Sequence, residues 1–328
     1  LKFDDIIGNA GIKLQLQIAG QAARMNNKEI PHIMFAGAAG CGKTTMAKAL
    51  ADSQSSDFLK VPPESMKSAK DVQDLADSLC VDGYSTDGSK VGLIRPTIVF
   101  FDEVHQMPLK GQEALGIAME EWYVASRNQF TGEIAEYWLP RFTVVGATTL
   151  AGKLSKPFRD RFKLNFQFDT YDLTDSIKIV KKHAELKGLS ITDDGAVEIA
   201  RRARGVPRTL VGYLERVSDA MTVMGIPTIT REAADSTFKI MGIDGAGLLY
   251  HDVRLLKALY EAGQPVGIDT LSIILNESNA TLQNSREPYL IQMGLIIRTG
   301  QGRMITQKGI EYLKENDYVT VKRRFANG

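Results

Sequence analysis

Gly37-Ala38-Ala39-Gly40-Cys41-Gly42-Lys43-Thr44 sets a glycine, four residues and then a glycine–lysine–threonine triplet in one short stretch. Glycines at these positions let successive backbone N–H groups turn inward around phosphate oxygens, because no Cβ restricts the chain there. Lys43 is expected to reach the terminal phosphates of a bound ATP. Thr44 is expected to ligate Mg²⁺ through its hydroxyl, with Thr45 next to it. An apolar run over 33–36 leads into the loop and a helical pattern over 44–53 leaves it. The loop should therefore join a strand to a helix whose positive dipole end faces the anion. Cys41 reads as a small filler rather than a nucleophile. With Cys80 it makes two cysteines, which is no disulfide framework and fits a reducing compartment.

A second constellation follows an apolar, β-branched run at 97–101: Asp102 and Glu103. Asp102 is suited to support Mg²⁺, directly or through water, and Glu103 to orient and deprotonate an attacking water. Two acids after a strand are ordinarily just a turn. The phosphate loop elsewhere in the chain is what gives this pair its catalytic reading. His105 has no second His or Cys at ligand spacing, so it reads as a packing or sensing residue rather than a metal ligand.

The elements that must position these residues fall into three blocks within 328 residues, enough for two or three domains. Residues 1–168 alternate strand-like and helix-like stretches, including a further strand at 142–146. This predicts an α/β domain with a parallel sheet covered by helices. The polar, glycine-containing stretch 82–96 reads as a loop. Residues 169–243 read as a small all-helical domain. Leu210, Leu214, Val217 and Met221 recur at helical spacing, and threonine or aspartate precedes helical patterns at 190–198 and 228–233. Residues 244–328 read as helices followed by a hairpin, with Gly300-Gln301-Gly302 between two short strands.

The net charge of +1 excludes a generally basic coat but not a local patch. From residue 248 onward there are ten Lys and Arg against eight Asp and Glu, a weak basic bias. Lys322-Arg323-Arg324 reads as a solvated tail. No apolar run is long enough to cross a bilayer and no basic-then-apolar leader opens the chain, so no membrane partner and a cytoplasmic location are expected.

With these residues in place, the chain resembles the AAA+ ATPases in general and the RuvB family of Holliday-junction branch-migration motors in particular. Phe100-Phe101-Asp102-Glu103-Val104-His105 is similar to that family's acidic block. So are Phe142-Thr143-Val144-Val145-Gly146-Ala147-Thr148-Thr149 and Pro157-Phe158-Arg159-Asp160-Arg161-Phe162. Arg204-Gly205-Val206-Pro207-Arg208 resembles its second sensor, and Asp4-Asp5-Ile6-Ile7-Gly8 its adenine-side box. Glu287-Pro288-Tyr289-Leu290-Ile291-Gln292-Met293-Gly294 and Thr299-Gly300-Gln301-Gly302-Arg303 resemble its C-terminal winged helix. The resemblance runs from about residue 2 to 313, in the family's order.

The resemblance implies roles. Thr149, with Thr148 as its neighbour, would hold the attacking water or the γ-phosphate; the alternative is an ordinary strand-end threonine. Arg161 would be the arginine finger reaching a neighbouring subunit's nucleotide, with Arg159 sharing the role or forming a surface ion pair. Arg208, after Pro207, would touch the γ-phosphate from the lid. Ile6 and Ile7 would pack near the adenine, with Pro31 and His32 flanking that pocket. Residues 269–275 and 280–293 would be the helical pair of the winged helix, and Arg298, Gln301 and Arg303 would reach duplex phosphates. The other reading of a winged helix is protein binding. A hairpin over 122–139, with Phe130 near its tip around Gly132, would dock a RuvA-like partner or simply cover the sheet.

The chain departs from the family in three places. Ala38, Ala39 and Cys41 stand where two prolines and a leucine are usual, the 82–95 stretch is longer, and the hairpin is shorter and lacks a glycine-rich centre. The implied function is a hexameric ring, bacterial or phage-type, that hydrolyses ATP and drives branch migration of four-way junctions. The alternatives are a loader of the clamp-loader or helicase-loader type and a nucleotide-gated interaction module.

Overall fold

A computed structural model describes residues 1–84, 90–94, 96–127 and 134–319. The centre of the 122–139 hairpin, with Phe130 and Gly132, and the Lys322-Arg323-Arg324 run lie outside the described residues.

The chain divides into two compact units, Leu1–Asp175 with Val206–Arg208, and Ser176–Gly205 with Thr209–Gly328. The first unit runs α1 (Ala10–Met25), β1 (Ile33–Gly37), α2 (Lys43–Ser53), β2 (Asp57–Val61), α3 (Ala69–Ser78), β3 (Cys80–Tyr84), β4 (Lys90–Ile94), β5 (Thr97–Phe101), α4 (Leu109–Glu121), β6 (Tyr123–Arg127), β7 (Ile134–Trp138), β8 (Thr143–Thr148), α5 (Lys156–Arg159) and β9 (Leu164–Phe168). Five strands form a parallel sheet in the order β2-β5-β8-β1-β9. All residues of β5 and β8 are buried, as expected for central strands covered on both faces. Alternation along β5 sends Ile98 and Phe100 into one core layer with α1 and α2 residues such as Leu16 and Met46. Val99 and Phe101 go into the other, with Val72, Leu75 and Leu115 of α3 and α4.

The stretch 82–96 is a correction to the sequence reading. Most of it is not a loop: β3 and β4 pair antiparallel, Cys80 opposite Ile94 and Tyr84 opposite Lys90. Val81, Val91, Leu93 and Ile94 supply β-propensity that the neighbouring glycines, serines and aspartates obscured.

His32 is a second correction. It was expected beside the adenine pocket, but its ring lies in the core. Nδ1 accepts the Val144 N–H at 2.9 Å, and Nε2 lies 3.0 Å from the Met119 carbonyl. A ring that accepts at Nδ1 must carry its proton at Nε2, so the imidazole is neutral and staples α4 to β8. Burial lowers its pKa accordingly.

The second unit carries most of α6 (Leu173–Leu186), then β10 (Ser190–Ile191), α7 (Asp193–Arg202), α8 (Pro207–Met224), β11 (Thr228–Ile229) and α9 (Arg231–Ile240). Thr192 and Thr230 cap α7 and α9, accepting the Gly195 and Ala233 amides. Leu210, Leu214, Val217 and Met221 form the buried face of α8. The chain continues as α10 (Tyr250–Ala262), α11 (Ile268–Leu275), α12 (Asn279–Thr281), a π-helical turn at Leu282–Arg286, α13 (Glu287–Gln292), β12 (Ile296–Thr299), β13 (Gly302–Ile305) and α14 (Gln307–Glu315). β12 and β13 form an antiparallel wing, and the helices pack on a leucine-rich core around Leu256, Leu271, Leu282 and Leu290.

His32→Leu should destabilise the first unit by about 2–4 kcal/mol, because it orphans the buried Val144 amide and Met119 carbonyl. The lowered pKa fixes the sign of the pH effect. The unfolded chain takes up the His32 proton near 6.5 and the folded one only at lower pH, so stability falls as pH drops below 6.5. Urea melts of both proteins across pH 5 to 8 check both statements; a variant as stable as the parent, with the same acid slope, refutes them.

Candidate active site

β1, β8 and β5 are adjacent and parallel, so their C-terminal ends open on the same side of the sheet. The phosphate loop follows β1, Asp102 and Glu103 follow β5, and Thr148 and Thr149 end β8. Residues more than a hundred positions apart in sequence thus converge at one sheet edge, where ligands bind in open α/β folds.

The loop depends on backbone shapes that side chains resist. Gly37 (φ +143°) has no room for a Cβ, which would sit 2.3 Å from the Phe168 carbonyl oxygen. At Gly40 (φ +80°) a Cβ would lie 2.8 Å from the Cβ of Arg208, whose amide faces the Gly40 carbonyl at 3.4 Å. Arg208 therefore lies against the loop, with Pro207 at the first position of its helix. Ala38 and Ala39 are exposed, so replacing the family's prolines leaves the loop's inward face to the backbone. Cys41 is buried, a free thiol whose pKa burial raises, as befits a filler.

Lys43 opens α2 and is buried. Its ammonium donates to the carbonyls of Gly37 at 2.7 Å and Ala38 at 2.8 Å. Burial lowers its pKa, the Glu103 and Asp102 carboxylates oppose that, and Arg208 adds to it. Lys43, Arg208 and the start of α2 concentrate positive potential where a polyphosphate would lie.

Glu103 has a left-handed backbone (φ +51°), an uncommon state for a residue with a side chain. Its Oε2 accepts the Thr149 amide at 3.0 Å and the Thr149 hydroxyl at 2.8 Å. Thr149 is exposed and Thr148 fully buried, so of the two threonines it is Thr149 that faces the cleft. The buried Thr148 hydroxyl instead accepts the Leu150 amide at 2.9 Å and meets His105 Nδ1 at 2.9 Å. Asp102 pairs through Oδ2 with Lys60 of β2 at 2.9 Å, a partner the motif pattern gave no reason to name.

The two finger candidates differ. Arg161 lies along α4, with Nε 2.9 Å from the Gly116 carbonyl, a further bond to the Pro157 carbonyl, and an ion pair to Glu120 at 3.2 Å. Arg159 is half-buried and makes no side-chain hydrogen bond or ion pair among the described residues.

Of the two isoleucines expected near an adenine, Ile6 is buried in the core and Ile7 is half-buried. Tyr171 joins them, a residue the motifs missed. Its hydroxyl accepts from Asn9 at 2.7 Å, and its ring packs so close to Gly8 that a Cβ there would stand 2.6 Å away. The signal for it was one aromatic among polar residues just after the last core strand.

The wing arginines also take part in the fold. Glu287 is completely buried, and its carboxylate receives Arg303 Nε at 2.8 Å and Arg298 Nε at 2.6 Å. Arg303 is largely covered, whereas half of the Arg298 side chain and all of the Gln301 region face solvent.

A five-stranded parallel sheet with a phosphate loop after β1, an acidic pair after β5 and a polar residue after β8, followed by a helical domain, defines an AAA+ P-loop ATPase. Family comparisons cover nearly the whole chain. Residues 1–168 match the Holliday junction DNA helicase RuvB P-loop domain, 171–244 the RuvB AAA lid domain, and 245–314 the RuvB C-terminal winged helix domain. The chain belongs to the RuvB family. It is 36% identical over 315 residues to the Holliday junction branch migration complex subunit RuvB of Streptococcus thermophilus, covering 95% of this chain and 90% of that protein. It is 35% identical over 320 residues to the RuvB of Ehrlichia ruminantium, covering 96% and 92%. The solved Thermotoga maritima RuvB Holliday junction branch migration motor superposes with a TM-score of 0.79 at 31% identity, covering 95% of this chain and 97% of that one.

Arg303→Ala should lower the stability of the second unit by about 2–4 kcal/mol, because it removes one of the two cations from the buried Glu287 carboxylate. A thermal melt of the variant without DNA reads this directly, and an unchanged melt would show that Glu287 does not need Arg303.

Proposed function

We propose that this chain assembles into a hexameric ring that hydrolyses ATP, pulls duplex DNA and drives branch migration of four-way junctions. What carries this reading is the combination of an ATPase site and a winged helix in one chain that aligns over nine-tenths of relatives named as branch migration subunits. The three-domain division at 168 and 243 follows the same reading.

In this mechanism the backbone amides of residues 37–44 cradle the triphosphate. Lys43 leaves the Gly37 and Ala38 carbonyls for the terminal phosphates. Ile6, Ile7 and Tyr171 hold the base. Thr44 and Asp102 offer hard oxygen donors of the kind Mg²⁺ takes, and the ion would offset phosphate charge during transfer. Glu103 takes the proton of the attacking water, and Thr149 holds the carboxylate that does so. Arg161, with Arg159 beside it, leaves its own α4 to neutralise charge on a neighbour's transferred phosphoryl group. Such a contribution is worth about 10³–10⁵ in rate, which makes a lone subunit a poor ATPase. Arg208, packed on Gly40, would touch the γ-phosphate of the bound nucleotide.

Arg298 and Gln301 supply the exposed wing contacts to duplex phosphates, with Arg303 secondary because Glu287 already holds it. Trp138 and Tyr137 are exposed on β7, with the Trp138 ring tilted against Tyr123 of β6 at 5.9 Å. An aromatic surface of this kind suits a RuvA-like partner. Among the described residues no helix is long and apolar enough to cross a membrane. Action on DNA in the cytoplasm is part of the proposal.

Glu103→Gln should keep ATP binding and ring assembly while abolishing turnover; wild-type-like hydrolysis removes Glu103 from the mechanism. The whole reading is tested by ATP turnover with linear duplex, single strand and four-way junction, alongside the assembled mass and a junction-migration assay with a partner present. Junction-stimulated turnover with migration supports it, whereas ATP-dependent DNA binding with no movement favours the loader.

A further inference from the structure

His105 stands three residues beyond the metal-side acid, on a 3-10 turn, Val104–Gln106, that follows Glu103. Its side chain is nine-tenths covered. Nδ1 lies 2.9 Å from Thr148 Oγ1 and 3.2 Å from Glu103 Oε2. The proton on this nitrogen can be placed from the neighbours. A carboxylate oxygen only accepts, and Thr148 Oγ1 already accepts the Leu150 amide, with a second lone pair to spare. Nδ1 next to a carboxylate oxygen is favourable only as N–H, so the imidazole donates its hydrogen bond to Thr148 and holds the same positive N–H beside Glu103 Oε2, joining the end of β8 to the base that follows β5.

The distribution of donors over the Glu103 carboxylate is uneven. The Thr149 amide and hydroxyl both donate to Oε2, and the His105 Nδ1 lies 3.2 Å from the same oxygen as an electrostatic contact. Oε1 receives no hydrogen bond or ion pair among the described residues. Two donors and a neighbouring imidazole N–H on one oxygen fix the rotation of the carboxylate about its last bond and leave the other oxygen to accept a proton from outside.

The geometry points to His105 as a positioning residue for ATP hydrolysis: it shares with Thr149 the anchoring of Glu103 Oε2, so that Oε1 is the oxygen that takes the water proton. Thr148, buried and away from the cleft, acts in this only as the support that sets the imidazole. The inference rests on Glu103 being the base. A base misplaced by about 1 Å costs on the order of 10²-fold in rate while leaving nucleotide contacts in place. Loss of His105 should therefore appear in kcat rather than in nucleotide affinity.

The test uses the full chain with magnesium and four-way-junction DNA, under conditions of assembly. His105→Phe keeps a planar ring but removes the donor; His105→Asn keeps a donor at the Nδ1 position. The expected result is that His105→Phe lowers kcat roughly 10- to 100-fold with KM and the equilibrium Kd for ATP within about threefold of the parent. His105→Asn should recover most of the loss, and in the Glu103→Gln background His105→Phe should cost nothing further. Parent-like kcat in His105→Phe, or an equal loss in His105→Asn, overturns the inference. So does a fall in ATP affinity parallel to the fall in rate, which marks a structural role alone. Full turnover by Glu103→Gln instead overturns the assignment of the base itself and is read separately.

Discussion

A buried ammonium holds this site together. Lys43 is enclosed at the start of α2, and its nearest partners are two carbonyls of its own loop. Carbonyl dipoles offset the cost of burying that charge only in part, and burial accordingly pulls its pKa down. A protein keeps such a group where a counter-charge is to come. The glycines that place the two carbonyls, the strand that delivers the loop and the acids on the next-but-one strand are all arranged around that unpaid requirement. A triphosphate is the anion that the family's P-loop ATPases would bring to it from the open side.

The sheet order is what turns separate motifs into one site. Since β8 lies between β1 and β5, Thr149 comes within reach of Glu103, and the amide and hydroxyl of one residue both grip one carboxylate oxygen. Had β5 and β8 been exchanged, the acids would adjoin the loop and the polar residue would lie two strands from it, though still beside the acids. The order itself follows from burial. β5 and β8 are apolar along their whole length and must be central, while β2 and β9 carry exposed residues and tolerate the edges.

Legibility in the sequence varied with how local the determining physics is. The phosphate loop, the acidic pair and the capping threonines at 192 and 230 are short-range patterns, and each is where its residues indicated. The β3–β4 hairpin was missed because its turn-forming residues outnumber its apolar ones, so local propensity favoured a loop and pairing between strands decided otherwise. His32 lies next to an apolar strand, and nothing local says that its two nitrogens meet an amide 112 positions away and a carbonyl 87 positions away. Arg303 looks like any wing cation until Glu287, sixteen residues earlier, is seen to be buried beneath it. The Lys60–Asp102 pair likewise depends on two strands being neighbours.

Glu287 has a wider consequence for how the C-terminal domain meets a duplex. A carboxylate with no exposure needs compensating charge, and two wing arginines supply it through their Nε atoms. Arg298 leaves part of its guanidinium outward, while Arg303 is mostly covered. Glu287 is already among the eight acids of the C-terminal count, and its position under the wing means that two of the ten cations there are held by an internal acid. If the wing is the DNA contact proposed above, few free cations would neutralise few phosphates, and its affinity for any single duplex segment would be low and only shallowly dependent on salt. In the ring proposed above this would be an advantage: each protomer would let go readily while the ring keeps hold through its other subunits. On that proposal, weak contact by one winged helix and assembly into a ring answer the same physical requirement.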